Sequence, residues 1–565
     1  MKKMKKIFAV LLTLAMVLGM TATVFAEGDG TPTEGDGRTA NVTITGIGEN
    51  DATFKVLQII EPEYLNGTFT GSYKWCSNLE GVSGPIEATA GTDGGLTTVT
   101  GLTSDNVQKW AVNATTEKTV TASGSNVTMN LGAGTWIIVA TPKQDVNKVY
   151  NPMIASVYYT KSDKGNTWVV NGGNLNAAGT WGLATSGAYT KSTDLTTETD
   201  KKVGSIVNGT FVPGQVNGEI GTSNTYQLKG IIPSYSSEYF STVENGETVT
   251  RTVYFNLQDS QNGGLEYQND LVVKVGGSPV TAGDTTYTLT YYKNDALTES
   301  TTDLTEAKGF KIAFASSYIQ GLASAADTAR RVEVTYSAKI TAAAVQTVAE
   351  NTYKLYYTRT PGETEDQVTN RTPIEKKEDT YTASINGTIK KVDGNGADAN
   401  LLAGASFGLY RTYENGVVGN QYTDVITEAT GIDGMVKFGG LKFGATYYIK
   451  ETAAPAGYSL SDKVYAVTCN YLTADVTDGV PNKKITQYTV TIKDADNAND
   501  QGTTFTVNYG GSATVLNNAF PIVNTTLASL PSTGGIGTTI FTIGGCAIMI
   551  IAAGLYFATR RRTAK

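Results

Sequence analysis

The sequence contains no histidine at all. Neither a Ser-His-Asp nor a Cys-His catalytic arrangement can therefore be built, and the common zinc sites lose their usual nitrogen ligand. A glycosidase working with a carboxylate pair would pass this test, but nothing else points to one. Cysteine is nearly absent: Cys76, Cys469 and Cys546 are too few for a disulfide framework. Cys76 and Cys469 fall in different segments and are expected to be free and buried, so any covalent stabilisation must use other chemistry. Proline is scarce at 14 residues, helical periodicity is weak between the two ends, and the net charge of -8 offers nucleic acid nothing. No cofactor or metal is expected.

Long apolar runs occur only at the two ends. MKKMKK is a cationic start, IFAVLLTLAMVLGM an apolar stretch, and Val24 to Ala26 a cleavage site before Glu27, which together read as a signal peptide over residues 1–26. At the other end, Leu530, Pro531, Ser532, Thr533 and Gly534 precede an apolar run from Thr539 to Ala558. That run has about the 20 residues a membrane helix needs. Arg560, Arg561 and Arg562 follow, and by the positive-inside rule they hold the tail in the cytoplasm. Pentapeptide, span and basic tail resemble the cell-wall sorting signal of sortase substrates in Gram-positive bacteria. The resemblance implies cleavage between Thr533 and Gly534 and transfer of the Thr533 acyl group to an amine, with residues 527–565 as the signal.

Between the ends, short alternating runs rich in Thr, Val and Tyr are separated by Gly, Asn, Asp and Ser turns, the pattern of β-sandwiches. The fold class expected is all-β. A first segment, 27–196, holds NVTITGI, TFKVLQII, TWIIVATP and MIASVYYT; STDLTTETD then reads as a linker. A middle segment, 197–376, holds TYQLKGIIP, TRTVYFNLQD, RRVEVTYSAKI and TYKLYYT, and EKKEDT marks the next boundary. A third segment, 377–526, holds SINGTIKKVD, GASFGLYRT, ATYYIKET and FPIVN. Trp75, Trp110, Trp136 and Trp168 are read as core aromatics and not as sugar platforms.

In the third segment KKVDGNG, LLAGASFGLY, YYIKETAAPAGY and a terminal PIVN resemble a Cna-B-type domain. The resemblance implies an immunoglobulin-like sandwich with an intramolecular isopeptide bond between Lys391 and Asn524, promoted by Glu451. Strand parity agrees independently. Ile385, Gly387, Ile389 and Lys391 share one parity, as do Tyr447, Ile449 and Glu451, and Phe520, Ile522 and Asn524. Burial would leave the lysine uncharged and the carboxyl protonated, which is what attack on an amide requires.

The middle segment resembles the middle domain of sortase-assembled backbone pilins, whose Cna-A-type sandwiches carry a lysine, an aspartate and an asparagine. The matching positions are Lys201 in DKKV, Asp259 in NLQDSQNGGL and Asn351 in ENTYKLYY; Lys202 competes with its neighbour. In such pilins an exposed lysine near the end of the first domain accepts the threonine of the next subunit. TWGLATSGAYTKS offers Lys191 there, without the valines and proline of the family motif, and SVYYTKS offers Lys161 as second choice. The family thus implies the shaft subunit of a covalently polymerised pilus on the cell wall. Its partners would be pilus and housekeeping sortases, further copies of itself, accessory pilins and peptidoglycan. The alternative is a monomeric wall-anchored adhesin or a tip or basal pilin. No motif names a host or microbial surface ligand, and no enzymatic turnover is expected beyond one intramolecular bond-forming event per site.

Overall fold

The computed structural model describes residues 30–526 and 536–562, apart from 91–95, 162–166, 169–179, 215–217, 245–246, 346, 395–398, 425, 473–484 and 511–517. The signal peptide and the Leu530 to Gly534 pentapeptide lie outside the described residues.

Alternating Thr, Val, Ile and Tyr side chains fold as the sequence pattern predicts, one face of each strand turned to a core. In the first segment the strands Ala52–Leu65, Gly134–Pro142 and Met153–Lys161 are consecutive neighbours in a seven-stranded sheet. A four-stranded sheet built on Thr39–Thr45 and Asn126–Gly132 completes the layer. Val42, Val56, Ile60, Tyr158 and Trp181 meet between them. Trp75 and Trp110 pack in this core with ring centroids 5.5 Å apart, while Trp136 is only partly buried. The Trp168 side chain lies outside the described residues.

The middle segment is a sandwich of a seven-stranded and a six-stranded sheet. The first sheet contains Asp200–Val207, Ser223–Ile231 and Arg331–Ile340; the second contains Phe255–Gln261 and Asn351–Tyr357 as direct neighbours. In the third segment a five-stranded sheet that includes Thr446–Ala453 faces smaller sheets. One of these is the parallel pair Ile389–Val392 and Phe520–Val523.

Two sequence expectations need correction. The stretch STDLTTETD is ordered structure and not a linker: Ser192–Asp194 pairs with Lys148–Tyr150, and Leu195–Glu198 forms a helical turn capped by Asp194. Its single apolar residue, Leu195, is fully buried in the middle core, and that burial ties the stretch down. Nor is SINGTIKKVD one continuous strand. A turn at Asn386 to Thr388, with Gly387 at φ 86°, separates Ala383–Ser384 from Ile389–Val392. The parity that places Lys391 inward therefore rests on Ile389 and Ile385's separate burial, not on one alternating run.

The segments pack against each other through hydrogen bonds that are partly or fully buried. Asn147 of the first segment accepts from Tyr357 at 3.2 Å and from Arg359 Nη2 at 2.8 Å. Glu219 of the middle segment takes Arg411 Nη2 at 2.8 Å and the Tyr447 hydroxyl at 2.9 Å from the third. Beside it the Ile220 amide donates to Gly440 O at 3.0 Å. A Cβ at Gly440, which has φ 84°, would stand 2.1 Å from Ile220 Cδ1, so this approach requires glycine. At the C-terminus, Ile536–Arg562 is a single helix, apolar and unburied over Ile540–Arg560.

Candidate functional site: two buried lysine, acid and asparagine clusters

In the middle segment, Lys201 and Val203 point into the sandwich from the Asp200–Val207 strand, whereas Lys202 lies on the opposite face. Lys202 is half-buried, with Nζ 3.6 Å from Asp200 and 4.0 Å from Glu378. Alternation thus makes Lys201 the interior lysine. Phe255, Leu257 and Asp259 alternate inward on the facing sheet, as do Asn351, Tyr353 and Leu355. The Lys201 ammonium contacts Asp259 Oδ2 and lies 2.8 Å from Asn351 Oδ1. Asp259 Oδ1 accepts from the hydroxyls of Tyr267 and Tyr336, each at 2.9 Å. The Asn351 amide nitrogen donates to Tyr336 at 2.8 Å. Lys201, Asp259 and Asn351 are all buried. Burial pushes the Lys201 pKa down against the opposing pull of Asp259, and burial pushes the Asp259 pKa up against that of Lys201. Both shifts favour a neutral amine beside a neutral acid.

The third segment assembles its own cluster differently. Lys391 and Ile522 are register partners on adjacent parallel strands, and Asn524 follows two residues later. Lys391 Nζ lies 2.5 Å from Asn524 Oδ1, 3.1 Å from Ile522 O and 3.4 Å from Glu451 Oε1. Glu451 comes from the facing sheet, where Tyr447, Ile449 and Glu451 alternate inward. Its carboxylate accepts the Asn524 amide nitrogen at 2.9 and 3.1 Å and the Ser461 amide at 2.8 Å. All three side chains are buried, and burial lowers the Lys391 pKa with Glu451 opposing.

Either arrangement can do the same chemistry. An uncharged lysine nitrogen beside the asparagine amide is placed to attack its carbonyl carbon, and the amide nitrogen is hydrogen-bonded to a group able to protonate it as it leaves. The Ser461 amide on Glu451, and the Tyr267 and Tyr336 hydroxyls on Asp259, were not foreseen from sequence. In RRVEVTYSAKI, Val332, Val334, Tyr336, Ala338 and Ile340 share the inward parity, and that alternation was the available signal.

The two acceptor-lysine candidates differ in exposure. Lys161 is buried with its ammonium 4.9 Å from the centre of the Trp181 ring, so the second choice does not offer the exposed amine required. Lys191 is exposed between Ala188–Tyr189 and Ser192–Asp194, and its carbonyl accepts the Asn151 amide at 2.9 Å. Enough protein surrounds its amine to lower the pKa; Arg330 of the middle segment adds to the effect and Asp327 opposes it. Cys76 and Cys469 are free and buried.

Residues 385–489 match the SpaA family, a prealbumin-like fold domain, and residues 522–565 match the LPXTG cell wall anchor motif. The trypsin-resistant surface T6 protein of Streptococcus pyogenes serotype M6 is 27% identical over 572 residues, covering 93% of this chain and 95% of that protein. Among solved structures, the T6 backbone pilin of the same serotype, described as a modular three-domain structure, superposes with a TM-score of 0.50 at 20% identity. The match covers 87% of this chain and 99% of the pilin. The chain is thus a cell-wall-anchored surface protein of the Gram-positive type, with the all-β fold of a backbone pilin.

Proposed function

We propose that this wall-anchored protein is the shaft subunit of a covalently polymerised pilus, with domains at 27–196, 197–376 and 377–526. Thr533 of one subunit is joined by a pilus sortase to Lys191 of the next, and a housekeeping sortase joins the last subunit to peptidoglycan. The observation that carries the reading is the pair of buried clusters in successive segments. Each joins a lysine on an early strand to an asparagine on, or just beyond, a late one, 150 and 133 residues further along.

Lys201 and Asn351, and Lys391 and Asn524, condense once each with loss of ammonia, promoted by Asp259 and Glu451. Tension that enters one terminal strand and leaves by another then passes through a covalent bond, and the sandwich between need not unzip. A shaft under flow uses that property. The lowered Lys191 pKa suits an acceptor, because the amine must be uncharged to attack an acyl-enzyme.

Peptide mass spectrometry of wall material released by muramidase tests this reading. The expected products are Thr533 joined to the Lys191 side chain and loss of one ammonia from each lysine-asparagine pair. Thr533 found only on peptidoglycan would make the protein a monomeric adhesin or basal subunit, with its domains unchanged. Lys191→Arg is expected to abolish the ladder of covalent multimers on the cell surface.

A further inference from the structure

Tyr336 belongs to the same sheet as Lys201, but its hydroxyl crosses the sandwich and meets two groups of the facing sheet. It donates to Asp259 Oδ1 at 2.9 Å and accepts from Asn351 Nδ2 at 2.8 Å, with Lys201 Nζ at 3.4 Å. It is therefore the group in contact with the amide nitrogen that must leave. In the third segment, by contrast, the carboxylate of Glu451 touches the Asn524 nitrogen directly. Asp259 is occupied by Lys201 through Oδ2 and by two phenols through Oδ1.

Resting on the reading that Lys201 and Asn351 condense, we propose that Tyr336 is a catalytic proton relay between Asp259 and the departing nitrogen of Asn351. The neutral Lys201 nitrogen attacks Cγ of Asn351, forming the Nζ–Cγ bond. As Nδ2 loses its amide conjugation and becomes basic, the Tyr336 hydroxyl turns its proton toward Nδ2 and is re-protonated from Asp259 Oδ1. The Cγ–Nδ2 bond breaks, ammonia leaves, and the proton shed by Nζ returns to Asp259 through Oδ2. The carboxyl group ends as it began, and one amide has replaced another. Tyr267 donates to the same Oδ1 without touching Asn351, so it holds the acid and carries no proton.

The test follows bond formation in newly synthesised full-length chain as it first folds, sampled and quenched during cell-free translation, by the loss of ammonia at Lys201–Asn351, with Lys391–Asn524 as an internal reference. In Tyr336→Phe the middle bond is expected to form about a hundredfold more slowly while the reference bond forms at its normal rate. Tyr267→Phe removes one hydrogen bond to the acid but no contact with the departing nitrogen, so it is expected to slow the middle bond far less than Tyr336→Phe does, with the reference bond unchanged. A Tyr336→Phe chain that closes the middle bond at the wild-type rate overturns the relay, as does Tyr267→Phe slowing it equally. If Tyr336→Phe does not fold, the wild-type rate in mixtures of light and heavy water decides: a curved dependence supports two protons in flight, and a linear one overturns the relay. A wild-type chain that keeps its ammonia at Lys201–Asn351 overturns the underlying condensation itself. That outcome is distinct, because the variant then has no rate to change.

Discussion

The middle and third segments use the same three functional groups on different scaffolds. In the middle segment Lys201 stands on one sheet and Asn351 on the other, so a bond between them would staple two layers through the core. In the third, Lys391 and Asn524 belong to neighbouring parallel strands, and Glu451 alone reaches them from the opposite layer. The acid follows from the geometry. Glu451 touches lysine and leaving nitrogen both, whereas Asp259 holds the lysine and meets the nitrogen only through Tyr336. What is shared is burial, which lowers both lysine pKa values and is indifferent to which strands supply the partners.

Mechanical extension separates the two most sharply. Pulling on the full chain is expected to show no lengthening from residues enclosed by either bond. Asn351→Ala should release about 500 Å and Asn524→Ala about 450 Å, at roughly 3.4 Å per residue for chain segments of those lengths. Single-molecule force spectroscopy reads the two increments apart. Equal stiffness of wild type and either variant would remove the covalent staple from that segment.

Without force, the same substitutions are expected to cost about 5 kcal/mol each, since both bonds close loops of similar length. Calorimetry should show a separate transition moved down in each variant, and a shared loss across both segments would mean that they unfold as one unit.

The smallest effect concerns Glu378, a buried acid near the middle lysine pair for which the third cluster has no counterpart among the described residues. Burial raises its pKa from 4.5 to about 7, with Lys202 and Lys201 opposing. A carboxyl group raised in the folded state binds its proton more tightly there than when unfolded. Its contribution is therefore complete below pH 4.5 and is lost as the pH rises through about 7. Glu378→Gln is expected to flatten the urea midpoint between pH 5 and 8, removing a slope worth up to about 3 kcal/mol. An unchanged slope would assign the pH dependence elsewhere.

Much of both clusters was legible as alternation. Asp259 shares parity with Phe255 and Leu257, and Glu451 with Tyr447 and Ile449, so a charged residue appears at the end of an apolar face. Tyr336 was not singled out, because a tyrosine among inward valines reads as ordinary core. Its role depends on which atoms face it across the sandwich. Leu195 was lost inside a polar run for a related reason. One apolar residue sets no period, yet the middle core it enters holds the whole stretch in place.

By itself the sequence determined the anchoring signal, the all-β class and the inward side of most strands. These are properties of a linear peptide: processing segments are read by composition and order, and strand parity depends only on residue spacing. The tertiary structure alone decided that Lys201 and not Lys202 faces Asn351, that Lys161 is enclosed beside Trp181, and that one acid touches its amide directly while a phenol stands between the other acid and its amide. Those outcomes turn on distances of a few ångströms between strands remote in sequence, and packing sets such distances where periodicity cannot.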